Sequence, residues 1–357
     1  MKKNGSSERK TLAGDSDHIV ADTAARIFAD LADPQTINRA NDSGWKAPLW
    51  RALEEAGLTL AWVPEDLGGS GASLGEGFAI IGAAGRYAVS VPLAETMLAG
   101  WLLARAGISS PAGAMSIAPA RLHERIRIEG SRLRGQAVVP FAPETQHIAV
   151  LADTQVALVA TKSCRVGKGR NLAGESAPVV DFPEAEALQV GAISISPEQF
   201  LLMGAAVRAM QTAGALQTIL SMSVAYANER IAFERKIGKF QAVQQNLARL
   251  AGEAAAALAA AGSAADALAA HASNEAIFLE VASAKIRCAE AAAEASAIAH
   301  QVFGAIGFTQ EHILHRFTLR MLGWRDDFGN ESWWAAELGH RVARRGADEF
   351  WPLVASR

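Results

Sequence analysis

From Pro197 onward the chain is rich in alanine yet keeps larger apolar residues at helical spacing, and this stretch constrains the fold more than any other. In AGEAAAALAAAGSAADALAAH the small side chains allow helices to approach closely. Val243, Leu247, Leu250, Ala254 and Leu258 recur at three- and four-residue steps, as a buried helix face requires. The pattern predicts four long helices, at roughly 197–233, 241–271, 275–303 and 310–345, packed as a four-helix bundle. Ser196 is the candidate cap of the first of them, and Pro197 suits its first position.

Ahead of the bundle the texture changes twice. From about Ile19 to Leu103 it is helical, with Trp45, Leu49, Leu53 and Leu58 on one side and Gly57 as a stop. The loop VPEDLGGSGASLGEG spaces Gly69, Gly71 and Gly75 as GxGxxxG with no following lysine, which reads as a turn between helices rather than a phosphate cradle. Between Ser109 and Pro197, short runs such as RIRIEG, QAVVPF, HIAVLA, QVALVA and PVVDF are punctuated by Gly, Pro and Asp, as in a small β domain. The expected class is therefore α+β, mainly α. It comprises a disordered tail over 1–18, a helical domain over 19–108, a middle β domain over 109–196 and the bundle over 197–357.

Charge and cysteine content narrow the partners. A formal net charge of -3 leaves no excess of cation for a polyanion, so nucleic acid is not an expected partner. CRVGKGRN gathers three cations and could approach a phosphate, although a solvated hairpin tip is the simpler reading. Cys164 and Cys288 match no metal-ligand spacing and read as free thiols in a reducing compartment. The opening MKKNGSSERKTLAGDSDH has no apolar run behind its cations, so neither a signal peptide nor an anchor is expected. The uncharged run from Ala209 to Asn228 is too polar for a membrane span, and a cytoplasmic protein is the expectation. Glu311, His312 and His315 form neither HExxH nor a second cluster, so no metal is expected and His315 reads as a helix-surface residue.

Two segments carry the chemistry. YANERIAFERKIGKFQAVQQ, Tyr226 to Gln245, sets cations, an aromatic and glutamines between two helical runs, with Gly238 expected at the turn. QVFGAIGFTQEHILHR carries Gly304 and Gly307, which leave backbone N–H groups open to an anion beside Gln301; a plain interhelical turn is the alternative.

Together with the domain order, these segments resemble the acyl-CoA dehydrogenase family of flavoproteins over most of the chain. The first typically reads R-x-x-F-G-x-x-I-x-x-F-Q-x-x-Q, matched here by Arg230, Phe233, Ile237, Phe240, Gln241 and Gln244, with Glu234 in place of glycine. The second typically reads Q-x-x-G-G-x-G-F-T-x-E-H, matched by Gln301, Gly304, Gly307, Phe308, Thr309, Glu311 and His312, with Ala305 in place of glycine. VPEDLGG is similar to the family's PEELGG turn. The resemblance implies an enzyme that binds FAD and introduces a 2,3-double bond into an acyl-CoA. A carboxylate takes the α-proton and hydride passes to the flavin. It implies FAD contacts from Arg230, Phe233, Phe240 and Gln241, and from Gln301, Gly304, Ala305 and Gly307 acting across an interface between subunits. The assembly would be a homo-oligomer, dimer or tetramer, or a heterotetramer with a related chain.

The resemblance also exposes departures. The family's Y-E-G-T base motif falls on Phe328, Gly329, Asn330 and Glu331, so the base position is Gly329. The family's other base position falls near Gly204 and Ala205. Asp326, Asp327 and Glu331 are the nearby substitutes, or else solvated helix-end acids. A counterpart of T-E-P-x-A-G-S-D, which touches flavin and substrate, is missing between Ser109 and Glu144. Such departures are similar to short, diverged bacterial acyl-CoA dehydrogenases, some of which pair as unlike subunits and act on steroid-CoA thioesters. A non-catalytic partner subunit and a flavin monooxygenase-like relative are the alternatives.

Overall fold

The computed structural model describes residues 19–40 and 42–355; the tail expected over 1–18 lies outside them. A first helix, α1, spans 19–31. It is followed by α2 (Pro34–Arg39), α3 (Lys46–Glu55), α4 (Leu74–Arg86) and α5 (Leu93–Arg105). Their starts follow local chemistry: Asp33 accepts from the Thr36 amide, and Ser73 and Glu76 form a reciprocal capping box. The glycine-rich stretch after α3 is a tight turn, as expected. A Cβ on Gly69 would lie 2.0 Å from the Val63 carbonyl oxygen, so the residue is glycine for close approach.

The sheet comprises β1 (Met115–Ala118), β2 (Arg125–Glu129), β3 (Arg132–Val138), β4 (His147–Ala152), β5 (Gln155–Ala160), β6 (Arg165–Val166) and β7 (Val179–Ala192). Their order is β1-β4-β5-β7-β3-β2, with β6 on β7; β1 and β4 are parallel and the other pairs antiparallel. β4 and β5 read as nearly continuous apolar runs because both their faces are covered. Ile148, Val150, Ala157 and Val159 pack into the sheet's own core with Leu133, Val180 and Phe182, while Ala149, Leu151, Val156 and Leu158 face the main core.

The second half holds α6 (Pro197–Glu229), α7 (Gln241–Ala269), α8 (Asn274–Phe303), α9 (Leu314–Trp324), α10 (Glu331–Arg345) and α11 (Phe350–Ala355). Ser196 and Gln199 form the capping box of α6, with Pro197 at its first position. The N-terminal helices join the bundle where α4 crosses α6. A Cβ on Gly85 would lie 2.2 Å from the Gln211 carbonyl oxygen, so the two backbones touch. The fourth predicted helix, 310–345, is instead two, broken over 325–330. Both cysteines are free, and burial pushes the Cys164 thiol up to about 11 and Cys288 up to about 12, which leaves them unreactive. No helix among the described residues is long and apolar enough to cross a membrane, and no metal-binding cluster occurs among them. His315 is half-buried, its Nδ1 2.8 Å from the His312 carbonyl oxygen, and so is not the surface residue expected.

Candidate functional site

One end of the bundle carries both sequence segments. α6 stops at Glu229, and the Arg230 amide closes its last turn on the Tyr226 carbonyl at 2.8 Å. A small hairpin follows, β8 (Ile231–Ala232) and β9 (Arg235–Lys236), whose turn residues Phe233 and Glu234 have φ of +50° and +64°. This is the left-handed pair that a two-residue hairpin turn demands. The turn is thus at Phe233–Glu234, not at the expected Gly238, where glycine instead lets the chain pass the Ala227 carbonyl. Consequently Phe233 is lifted off the surface, 90% exposed at the tip. Its ring meets Phe240 edge-on at 6.2 Å, and the Arg235 guanidinium covers Phe240 at 4.0 Å. Arg230 and Gln241 are exposed beside it.

The second segment lies against the first. The Tyr226 ring sits 4.6 Å from Phe303, the last residue of α8, and its hydroxyl donates to the Phe303 carbonyl at 3.4 Å. Gly304 then turns the chain with φ of +64°, and a Cβ there would meet nothing within 4 Å. Gln301, Gly304 and Ala305 are exposed, Gly307 is buried beneath them, and Phe308 stacks on His300 at 4.5 Å. One chain therefore bears both segments side by side. They do not stand as separate halves, so whatever one of them meets lies next to the other.

The loop between α9 and α10 holds the position that the resemblance assigns to the base. Phe328 (φ +55°) and Gly329 (φ +92°) break the helix, and the Asn330 side chain accepts from the Trp333 amide to start α10. The loop is pinned from three sides. From the sheet, the Ala120 carbonyl accepts the Phe328 amide at 2.9 Å. From α10, Trp334 Nε1 donates to the Phe328 carbonyl at 3.0 Å. From α8, Lys285 Nζ donates to the Trp324 and Asp327 carbonyls, each at 2.7 Å. The Phe328 ring packs edge-on to Phe200 at 6.0 Å and over Gly204, where a Cβ would lie 2.4 Å away. The two base positions, Gly329 and the neighbourhood of Gly204, thus meet through one aromatic ring, and neither carries a carboxylate.

Models of the acyl-CoA dehydrogenase N-terminal and C-terminal domains match residues 15–110 and 196–329. The chain belongs to the acyl-CoA dehydrogenase family. Acyl-CoA dehydrogenase IpdE2 of Mycobacterium tuberculosis is 27% identical over 339 residues, covering 93% of this chain and 96% of that protein. IpdE2 of Mycolicibacterium smegmatis is 26% identical over 311 residues, covering 85% and 92%. Among solved structures, the ChsE4-ChsE5 complex from Mycobacterium tuberculosis superposes with a TM-score of 0.81 at 23% identity, covering 92% of this chain and 97% of that one. PigA with FAD and proline superposes with a TM-score of 0.78 at 18% identity, covering 97% and 100%.

This acyl-CoA dehydrogenase family member engages two of the three acids around Gly329 in ion pairs. Asp327 Oδ2 accepts from Arg208 Nε at 3.0 Å. Arg208 also donates to Glu95 Oε1 and Gln211 Oε1, each at 2.7 Å. Arg208 and Glu95 are almost fully buried, with 4% and 3% of their side chains exposed. Burial drives the Glu95 carboxyl upward and Arg208 pulls it back, while Glu95 and Asp327 hold Arg208 charged. Glu331 is paired with Arg325; burial would raise its carboxyl, but the Arg325 hydrogen bond outweighs this and holds it below the usual range. Asp326 faces solvent. A base must be free and aimed into the site; Asp327 and Glu331 are held in ion pairs, and Asp326 faces solvent.

Sequence reasoning missed Glu95, Arg208 and Lys285. The available signal was isolation, since Arg208 is the sole charged residue between Gln199 and Asn228. A lone charge inside an apolar helix must find a partner in the core. Lys285 adds a pH dependence, because burial lowers its ammonium to about 8. An unfolded lysine titrates near 10.4, so between those values the unfolded chain binds the extra proton and stability rises with pH. The rise is expected to reach about 3 kcal/mol and to vanish in Lys285→Met. Denaturant midpoints of both proteins across that window test it, and equal slopes would refute it.

Proposed function

We propose that this chain is a subunit of a FAD-dependent acyl-CoA dehydrogenase that works with a second, related chain. It lends its exposed rim to the cofactor, and the partner supplies the base. The contrast between the two regions carries this reading. Phe233 is 90% exposed and Gly304 is open above its backbone, whereas Gly329 is buried without a side chain. The rim fits the diphosphate edge of FAD. Arg230 has no carboxylate partner among the described residues and would offer a fork to a diphosphate. Phe233 would give an aromatic face, and Gln241 and Gln301 would add donors and acceptors. When bound, FAD supplies the hydride acceptor for oxidation of the acyl thioester to its 2,3-enoyl product. The loop at Gly329 does not fit the part of base, and the α-proton goes to a carboxylate of the partner. The superposition on a chain of the ChsE4-ChsE5 complex, a structure that joins two named proteins, supports the two-chain form.

The test is to purify the chain alone and co-expressed with a related chain from the same genome, then record flavin absorbance and its bleaching by acyl-CoA under anaerobic conditions. Bleaching is expected only in the mixture. A chain that holds and reduces flavin alone would sink the proposal, as would a mixture without flavin. In the mixture, Arg230→Ala is expected to weaken FAD binding about tenfold, the loss of one charge-assisted hydrogen bond. Unchanged flavin occupancy on dilution would count against the rim.

A further inference from the structure

Three histidines gather behind the loop that carries Gly304 and Gly307. His300 lies on the last turn of α8, His312 just ahead of α9, and His315 in the first turn of α9. They form no metal-binding cluster among the described residues. Each is tied to the protein instead. Phe308 stacks on the His300 ring at 4.5 Å, Phe303 meets the His312 ring at 4.4 Å, and His315 Nδ1 lies 2.8 Å from the His312 carbonyl oxygen.

His312 is the informative one. Its Nδ1 accepts the amide of Leu314, the first residue of α9, at 3.1 Å. An amide only donates, so this Nδ1 must keep its lone pair, and the proton of the neutral ring sits on Nε2. Protonation fills the lone pair and breaks the bond. It also sets a cation at a helix N-terminus, where the backbone dipole disfavours it. His315 differs, because an Nδ1 that faces a carbonyl donates in the neutral and the charged ring alike. The ring contact carries the change to the rim: Phe303, which the His312 ring touches, packs on Tyr226 at 4.6 Å and leads directly into Gly304.

The groups around His312 oppose its protonation. His300 from α8 and His315 from α9 act on it, and Arg316 and Arg320 act on His315. From α6 the Tyr226 hydroxyl donates to the Phe303 carbonyl, and from α2 Asn38 donates to the Gln310 and Glu311 carbonyls. The Glu311 side chain is exposed. Burial, reinforced by the other two histidines, holds His312 below the ordinary histidine range. Burial does the same to His315, and to His300 although the Gly307 backbone favours its charged form. We propose that His312 is a proton-operated latch that, when neutral, fastens the Gly304–Phe308 loop to the start of α9 and, when protonated, releases it. The closed loop prefers the neutral ring, so the latch holds fully above the free histidine value of about 6.5 and weakens as the pH falls below it. It works within one chain and does not depend on which ligand the rim takes.

Amide hydrogen exchange of the full-length protein, one pH unit above and one below about 6.5, tests it, with rates divided by those of an unstructured chain at the same pH. Protection over 300–315 is expected to fall about fivefold to tenfold in acid, tenfold being roughly the limit for one proton taken up across that lower unit. His312→Asn keeps an acceptor for the Leu314 amide, since asparagine bonds the amide two residues on, but takes up no proton. It should be equally protected at both pH values. His312→Ala should be poorly protected at both, and His315→Gln should keep the acid response. Protection that does not change with pH in the parent, a His312→Asn protein that still opens in acid, or a His312→Ala protein with parental protection at the higher pH overturns the proposal. So does a response that His315→Gln abolishes, or a loss of protection spread evenly over the whole chain, since acid would then act on the fold and not on this latch.

Discussion

Replacing Arg208 with methionine is expected to destabilise the protein by about 3–5 kcal/mol, the usual cost of leaving a buried ion pair half-broken. The reason is local. Arg208 pairs with Glu95 on α5 and with Asp327 ahead of α10, where Lys285 also acts, and its third hydrogen bond goes to Gln211. Without it, Glu95 remains unpaired in the core and the partly buried Asp327 loses its ion pair. The second variant decides the interpretation. Arg208→Met with Glu95→Leu should recover much of the loss, because a well-packed apolar pair often equals or exceeds a buried salt bridge. Chemical denaturation of the two variants and the parent is the measurement. A single variant within 1 kcal/mol of the parent would mean that the cluster does not tie the N-terminal helices to the bundle.

Restoring a carboxylate at the family's base position should fail. Gly329 has φ of +92°, and a Cβ there would lie 2.9 Å from Trp334 Nε1 and 3.0 Å from the Trp333 ring. Gly329→Glu therefore combines backbone strain, a steric conflict and burial of a charge, together about 2–4 kcal/mol. It also strains the Trp334 hydrogen bond to the Phe328 carbonyl, one of the three ties that hold the loop. The expected result is a lower melting temperature and no gain of acyl-CoA-dependent flavin bleaching by the chain alone. A Gly329→Glu protein of parental stability that turned over acyl-CoA would show that the loop is adaptable and that only the carboxylate was lacking.

The two sites differ in how far they could be read from sequence. The rim residues lie in two short motifs, so the family resemblance singled them out before any tertiary contact was known. Their presentation was harder. The run from Tyr226 to Gln245 reads as two helices around a glycine, yet the left-handed residues are Phe233 and Glu234, which carry side chains. Residue type is a weak guide where the surrounding structure imposes φ. The closed interior was not readable in this way. Glu95, Arg208, Lys285 and Asp327 come from separated stretches, and only packing brings them within hydrogen-bond reach.

Helical periodicity, capping residues and apolar strand runs determined the kind of protein this is, because those patterns depend on neighbours a few positions apart. They placed α6 after Ser196 and marked out the small sheet, while two motifs carried the resemblance to the acyl-CoA dehydrogenase family. By that resemblance, the family's base position falls on Gly329. The tertiary structure decided what surrounds that absence. Phe328 lies over Gly204, the Ala120 carbonyl ties the loop to the sheet, and the acids on either side are engaged by Arg208 and Arg325. These outcomes depend on which distant side chains share one desolvated volume, and local spacing carries no information about that.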